Sequence, residues 1–260
     1  MDQKAITDLL GLQPIANAAE SITEKFLTAI SIVCKPAFEE LGYLAKDQIR
    51  RWRLMNILKM LQKANGKLEY TDGELQIKAN PKVTLAIMEN ASLEEKDEVQ
   101  ELWAGLFASS CTDSGEDDQN IIFVDLLKQL TVVQSRILKY ACEHSIKVLY
   151  PTGFVMSTEL KVDLQKLHEI TGINDIYRLD RDMDHLSSIK LIHGLVAGFV
   201  ANTEVVEAVI TPSPLALNLY VRCLGSSKTI REYWKESLIS EEEMKERKLH
   251  TAPIFISATE

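Results

Sequence analysis

The sequence lacks the short motifs by which most nucleotide-binding and hydrolytic sites are recognised. Its 260 residues contain no Gly-x-x-x-x-Gly-Lys-Ser, Gly-x-Gly-x-x-Gly, Gly-x-Ser-x-Gly or His-Glu-x-x-His, and the 11 glycines are scattered along the chain. Such motifs hold phosphates, nucleophiles or zinc through fixed spacings. We therefore predict no catalytic residue and no cofactor, although groups distant in sequence can still converge in a fold.

Paired cysteines and long apolar runs are also missing. The four cysteines (Cys34, Cys111, Cys142 and Cys223) form no Cys-x-x-Cys pair and fall in apolar helical patterns, which favours buried, reduced thiols. No window approaches the ~18 consecutive apolar residues of a membrane span. The first residues do not resemble a secretory signal. These absences predict a cytoplasmic protein that does not contact a membrane.

Charge is unevenly distributed along the chain. The net charge is −9, with 46% hydrophobic and 26% charged residues, a composition typical of a globular protein. Residues 1–67 carry ten basic and seven acidic side chains, whereas residues 68–120 carry three basic and thirteen acidic ones. This difference predicts pairing between the two segments. The overall acidity argues against general affinity for the phosphate backbones of nucleic acids.

The first half of the chain has the apolar spacing of helices. Apolar residues recur at three- and four-residue steps over residues 14–34, 38–64 and 81–91. Ser92 and Glu95 match a capping box, which predicts that another helix begins there. An acidic stretch without periodicity follows, and it predicts a loop at the domain boundary. We predict an N-terminal helical bundle over residues 1–120.

The second half predicts a different arrangement. Thr131 with Gln134 matches a capping box, and Ser157 and Asn174 are candidate caps of two more helices. Two β-prone stretches follow, at 195–200 and 205–210, and predict a hairpin.

A closing helix is predicted from Pro214, and three helices, a hairpin and a closing helix is the order of a winged-helix domain. We therefore predict a mainly α protein, in which the bundle is followed by a winged-helix-like α+β unit at 121–225 and a C-terminal extension at 226–260.

Four stretches between residues 45 and 142 occur in an unusual order. They are Ile49-Arg50-Arg51-Trp52-Arg53 with Asn56, Pro81-Lys82-Val83 to Ala91-Ser92-Leu93, Glu101-Leu102-Trp103-Ala104-Gly105-Leu106-Phe107-Ala108, and Phe123-Val124-Asp125-Leu126-Leu127-Lys128-Gln129-Leu130. This order resembles the abortive infection alpha (Abi-alpha) family of bacterial phage-resistance proteins. The resemblance implies a role in limiting phage propagation and brings no established catalytic residues.

A basic stripe on the second predicted helix is one candidate interaction surface. Lys46, Arg50 and Arg53 share a helical face, with Trp52 beside them, as a nucleic-acid surface has. The alternative is pairing with an acidic stripe of equal spacing on the helix after Ser92. That stripe consists of Glu94, Glu98 and Glu101. We favour pairing, because the acidity of the chain weakens attraction to phosphate.

The third helix of the winged-helix-like unit is the second candidate surface. Its acidic residues are Asp175, Asp180, Asp182 and Asp184, and its basic residues are Arg178 and Arg181. Since winged helices usually read DNA with this helix, a net negative charge there disfavours DNA and favours a protein partner.

A metal site at Asp180, Asp184 and His185 is a weaker alternative, because Arg181 lies among these residues and no second carboxylate–histidine set accompanies them.

These observations predict phage defence through recognition of a phage or host protein, or through regulated toxicity. The candidate interaction surface consists of Lys46, Arg50, Arg53, Asp180, Arg181 and Asp184. A nucleic-acid-binding regulator that uses the Lys46/Arg50/Arg53 face is the alternative. A hydrolase with scattered carboxylates is a third hypothesis, which lacks any paired set of carboxylates.

Overall fold

The structure is a computed structural model that describes residues 48–68, 78–112, 115–193, 198–201 and 206–251, with the backbone alone at 48–51, 78 and 198–201. These residues are helix-rich. Their helices are α1 (Gln48–Asn65), α2 (Pro81–Ala91), α3 (Asp97–Ser110), α4 (Ile121–Leu127), α5 (Val132–His144), α6 (Leu164–Thr171), α7 (Ile176–Ser188), α8 (Pro214–Cys223), α9 (Ile230–Tyr233) and α10 (Glu241–Glu246).

The strands in the described ranges are short and form three small sheets. They are β1 (Lys78–Ala79), β2 (Cys111–Thr112), β3 (Lys147–Leu149), β4 (Val155–Ser157), β5 (Lys161–Asp163), β6 (Gly198–Ala201), β7 (Val206–Val209) and β8 (Ile239–Ser240). The strand orders are β1-β2, β4-β3-β8 and β5-β7-β6. All pairs are antiparallel except β3 with β8.

The chain divides into two compact units. Unit 1 consists of residues 1–129 and 222–227, and unit 2 consists of residues 130–221 and 228–260. The sequence predicts three separate domains, at 1–120, 121–225 and 226–260. A division into compact units does not test these ranges, because it does not show that each range folds independently. They stay a prediction.

Unit 1 has its described core between α1, α2 and α3. Leu54, Ile57 and Met60 of α1 are buried, as are Trp103 and Phe107 of α3. Their three- and four-residue spacing gives each helix one apolar face, and these faces pack together. The predicted helix at 14–34 and most of the predicted hairpin at 67–79 lie outside the described residues.

The predicted capping box of Ser92 and Glu95 is wrong. Ser92 follows the last turn of α2, where its hydroxyl donates to the carbonyl oxygen of Glu89 at 2.6 Å. The next helix begins at Asp97, and its N-cap residue Lys96 makes no side-chain cap. A serine hydroxyl satisfies either end of a helix, so the motif alone does not distinguish them.

Unit 2 begins with a helix start that the sequence predicted correctly. Thr131 caps α5, and Gln134 completes the capping box. The predicted helix start at Ser157 is wrong, because Ser157 lies in the buried strand β4 and the helix begins at Leu164, capped by Asp163. Asp175 rather than Asn174 caps α7.

The predicted hairpin of unit 2 is confirmed. β6 and β7 pair in antiparallel register, with Phe199 opposite Ala208. β5 adds to the other side of β7, with Val162 also opposite Ala208. Ala208 is fully buried, and this sheet packs against α6 and α7, which share a core with α5. That core includes Ile137, Leu167, Leu179, Met183 and Leu186.

Candidate partner-binding surface

Helix α7 has one face fixed in the core and one face open to solvent. Leu179, Met183 and Leu186 are fully buried. At the helix start, Oδ1 of Asp175 accepts hydrogen bonds from the backbone N–H groups of Tyr177 and Arg178, at 3.0 and 3.3 Å. A carboxylate at this position also interacts favourably with the positive end of the helix dipole. These contacts fix which side chains α7 presents outward.

The outward face of α7 brings together three of the predicted interaction residues. Asp180, Arg181 and Asp184 are all exposed on it. Tyr177 lies one turn before Arg181, and 84% of its surface is exposed. Tyr177 was not among the predicted interaction residues, although its position two residues before the buried Leu179 indicates an outward direction.

One aspartate of the predicted negative surface points inward. Only 7% of Asp182 is exposed, and its Oδ1 accepts a hydrogen bond from Nε2 of Gln134 at 2.9 Å. The expectation that Asp182 adds to the negative surface is therefore wrong. Asp182 lies three residues after Leu179 and four residues before Leu186, and this helical spacing indicates the buried face. The exposed charges of α7 are consequently more evenly balanced than predicted.

The predicted basic stripe is described only in part. Lys46 lies outside the described residues, and the same is true of the side chain of Arg50. Arg53 donates through Nε to the hydroxyl of Ser92 at 2.9 Å. Trp52 donates through Nε1 to Oε1 of Glu95. The Lys46/Arg50/Arg53 surface stays a prediction.

The ion pairs to α3 come from the end of α1 and the residues just after it, later in the chain than predicted. Lys63 contacts Asp97 at 3.0 Å and Glu101 at 2.5 Å, and Lys67 contacts Glu101 at 3.1 Å. Partial burial lowers the pKa of Lys63, but hydrogen bonds to Glu101 and Asp97 outweigh burial and leave its pKa above the ordinary value. The predicted pairing between the basic and acidic segments thus occurs at Lys63 and Lys67.

A buried lysine in unit 2 was missed by the sequence analysis. Nζ of Lys147 donates to the carbonyl oxygens of Cys142 and Ser145, the latter at 2.6 Å, at the end of α5. It also lies 5.0 Å from the centroid of a ring of Trp234. Burial lowers the pKa of Lys147 to about 8. The side chain satisfies carbonyl groups that a helix end leaves without intrahelical partners.

Trp234, which lies over this lysine, contacts two tyrosines. Trp234 stacks on Tyr220 with a centroid separation of 6.3 Å and meets Tyr233 edge-on at 4.9 Å. The hydroxyl of Tyr220 donates to Oε1 of Glu143 at 2.8 Å, and burial together with that carboxylate raises the pKa of Tyr220. Because Lys147 is buried, this arrangement stabilises the helix end and gives a substrate no access to the amine.

The described residues offer no metal-binding cluster. Among them, no group of three or more histidine, cysteine, aspartate or glutamate side chains is placed to hold a metal ion. Burial raises the pKa of the Cys111 thiol to about 12, which makes it a poor nucleophile at neutral pH. No helix in the described ranges is long and apolar enough to span a bilayer.

Comparison with known proteins gives one match. No curated protein and no solved structure matches the chain. The model of the family "Abortive infection alpha" matches residues 53–215 and therefore includes α7 and its exposed face. Because this match covers more than half of the chain, the chain belongs to the abortive infection alpha family, which is associated with phage defence by abortive infection.

Proposed function

We propose that this protein acts in abortive infection by binding another protein, of phage or host origin, through the exposed face of α7. The observation that carries the proposal is the composition of that face. Tyr177 and Arg181 lie one turn apart and are exposed, and Asp180 and Asp184 lie beside them. Tyrosine and arginine are the residues that contribute most often to binding energy in protein interfaces.

The balance of charge on α7 favours a polypeptide over a duplex. Affinity for DNA depends on cations that neutralise phosphates. The exposed charged side chains within α7 are Arg178, Arg181, Asp180 and Asp184. Together they have no net positive charge, so they cannot drive the release of counterions from DNA. A protein surface of mixed charge complements this face through oppositely charged side chains and needs no release of counterions.

The arrangement of unit 2 supports a winged-helix fold, with α7 as the third helix. Helices α5, α6 and α7 precede the β6–β7 hairpin, β5 lies between α5 and α6, and the sheet order is β5-β7-β6. In winged-helix proteins the third helix is the usual recognition element. We propose the same recognition role for α7, with a protein in place of DNA as its partner.

A photo-crosslinking experiment tests the class of partner. Tyr177 is replaced by p-benzoylphenylalanine in the full chain, and phage-infected cells are irradiated. We expect a discrete polypeptide adduct that mass spectrometry identifies, and no such adduct from the same replacement at Gln165, an exposed residue of α6. An adduct with nucleic acid, or equal labelling from both positions, contradicts protein recognition by α7.

A plaque assay tests the link to defence. The double variant Tyr177→Ala/Arg181→Ala is expected to lose protection against phage while it keeps the far-UV circular dichroism spectrum and the Tm of the wild type. Lys139→Ala, at an exposed position of α5, is the control and should protect fully. If the double variant protects as well as the wild type, the surface assignment is wrong. If the wild type does not protect against any phage of a broad panel, the defence role itself is wrong.

A further inference from the structure

Residues 228–251 form a segment that wraps onto the β3–β4 hairpin of unit 2, and we name it the C-terminal strap. It contains α9, β8 and α10. β8 pairs in parallel with β3, with Ile239 opposite Val148. Near its end, Thr251 forms an isolated bridge with Thr158. The strap lies entirely outside the residues that the family model matches, whereas β3 lies inside them.

The strap has a small apolar contact of its own. Ile239 and Met244 of the strap are buried with Val148 of β3 in one cluster, and the partly buried Leu249, Ile146 and Tyr150 pack against it. Helix α9 has no buried residue, and most strap side chains are exposed. β8 contributes only two residues to the sheet. Segments with few buried apolar contacts open at a smaller free-energy cost than the core of their domain.

The strap also covers a cation. Trp234 lies over Nζ of Lys147, which faces Cys142 and Glu143 of α5 and the carbonyl oxygen of Ser145. The pKa of Lys147 is lowered to about 8 by burial, so at neutral pH the closed strap holds a charged ammonium in an environment that disfavours it. Opening of the strap moves Trp234 away from this ammonium, whereas the carbonyl oxygens of Cys142 and Ser145 remain its hydrogen-bond partners.

We propose that the strap opens as one unit while the rest of unit 2 stays folded, and that opening exposes the edge of β3 to an extended segment of a partner protein. In the closed form β8 itself occupies this edge in parallel register, with the apolar residue Ile239 beside Val148. Opening leaves backbone groups of β3 unpaired, and an unpaired strand edge accepts another strand. This surface is distinct from the face of α7, so the proposal does not depend on the proposed function.

A reversible disulfide tests the opening. Thr158 and Thr251 are bridge partners, so the double variant Thr158→Cys/Thr251→Cys has backbone positions suited to a disulfide. Hydrogen exchange of the full chain is followed by mass spectrometry in the wild type and in the reduced and oxidised forms of the variant. The wild type is included because Thr251→Cys removes the hydrogen bond between Oγ1 of Thr251 and the hydroxyl of Tyr150, and its strap should also exchange at least tenfold faster than α5 and α7. In the reduced form, we expect residues 239–249 to exchange at least tenfold faster than α5 and α7. Oxidation should slow hydrogen exchange in the strap at least tenfold and leave the exchange rate of α7 unchanged.

Two results would overturn the opening. The first is exchange of the reduced strap at the rate of α7, which means that the strap unfolds only with the whole unit. The second is exchange of the strap that oxidation does not slow, which means that it does not leave β3 by separation of Thr158 from Thr251. The single variant Thr158→Cys, treated with the same oxidant, controls for oxidation elsewhere.

A peptide-binding measurement tests the exposed edge. Ile239→Asp weakens the strap in the full chain, and the probe is a fluorescein-labelled peptide with the sequence of residues 236–244. We expect a saturable rise in anisotropy with this variant, no rise with the oxidised disulfide variant, and no rise when the peptide carries aspartate at the position of Ile239. Absence of binding to a folded Ile239→Asp protein overturns the strand-addition part, and exchange in the disulfide variant still decides the opening.

Discussion

The side-chain amide of Gln134 donates from Nε2 to Oδ1 of Asp182 at 2.9 Å and so connects the first turn of α5 to the buried side of α7. Its Oε1 accepts a hydrogen bond from the backbone N–H of Thr131 at 3.1 Å and contacts Nδ1 of His185 at 3.2 Å. One glutamine therefore completes the cap of α5 and fixes the orientation of α7, the helix that carries the proposed partner surface.

We expect Gln134→Ala to destabilise the protein more than Thr131→Ala does. Thr131→Ala removes the cap of α5, which typically costs about 1 kcal/mol. Gln134→Ala removes the return hydrogen bond of the same cap and also leaves the buried Asp182 without this donor, a loss of about 1–3 kcal/mol. Urea unfolding at pH 7, followed by far-UV circular dichroism, gives both free energies. Equal effects of the two substitutions would show that the contact with Asp182 contributes nothing.

The sequence was sufficient for elements whose signals are local. The capping box of Thr131 and Gln134 is set by residues within one helical turn. Pro214 at the first position of α8 is another local signal. The exposed positions of Asp180, Arg181 and Asp184 also follow from helical spacing, which places them away from Leu179.

Elements that depend on distant partners were missed. β4 consists of three buried residues and has no alternating pattern that would distinguish it from part of a helix. β8 exists because Ile239 pairs with Val148, ninety-one positions earlier in the chain, and two residues carry no periodicity. The contact of Lys147 with Trp234 also joins residues that are far apart in the chain. Such contacts are properties of the folded chain and have no local signature.

We expect Lys147 to make a contribution to stability that rises with pH above about 8. Its folded pKa is about 8 and its ordinary value is 10.5, so between these values the unfolded chain binds more protons and each increase in pH favours the folded state. The gain is about 3 kcal/mol at most. It is lost as pH falls through 8.

The measurement for Lys147 compares the urea midpoints of the wild type and of Lys147→Met at pH 7.5, 8.5 and 9.5. The buried thiols of Cys111 and Cys223, whose raised pKa values lower stability in this range, affect both proteins alike. The midpoint of Lys147→Met should fall relative to that of the wild type as pH increases, whatever its value at pH 7.5. Lys235→Met, at an exposed position, is the control and should follow the wild type. A constant difference between Lys147→Met and the wild type would assign the pH dependence to other groups.

We expect no saturable binding of duplex DNA or single-stranded RNA at low salt. The chain has a net charge of −9, and Arg53 of the predicted basic stripe is hydrogen-bonded to Ser92 within unit 1. Fluorescence anisotropy with labelled oligonucleotides provides the measurement, and Lys46→Glu/Arg50→Glu is the comparison variant. Binding that weakens steeply with salt and disappears in this variant would restore the nucleic-acid-binding alternative.

Alanine should destabilise the protein at Gly105 but not at Gly66, although both glycines belong to unit 1. A Cβ atom on Gly105 would lie 1.6 Å from the carbonyl oxygen of Cys223, so Gly105→Ala requires a backbone shift of the 222–225 turn or of α3. We expect a loss of at least about 1–3 kcal/mol, as for an overpacked core. The nearest atom to a Cβ on Gly66 is the carbonyl oxygen of Lys63 at 3.6 Å, an ordinary contact, so Gly66→Ala should change stability little. Thermal unfolding of both variants decides the point, and an unchanged Tm in Gly105→Ala would contradict the close approach of α3 to Cys223.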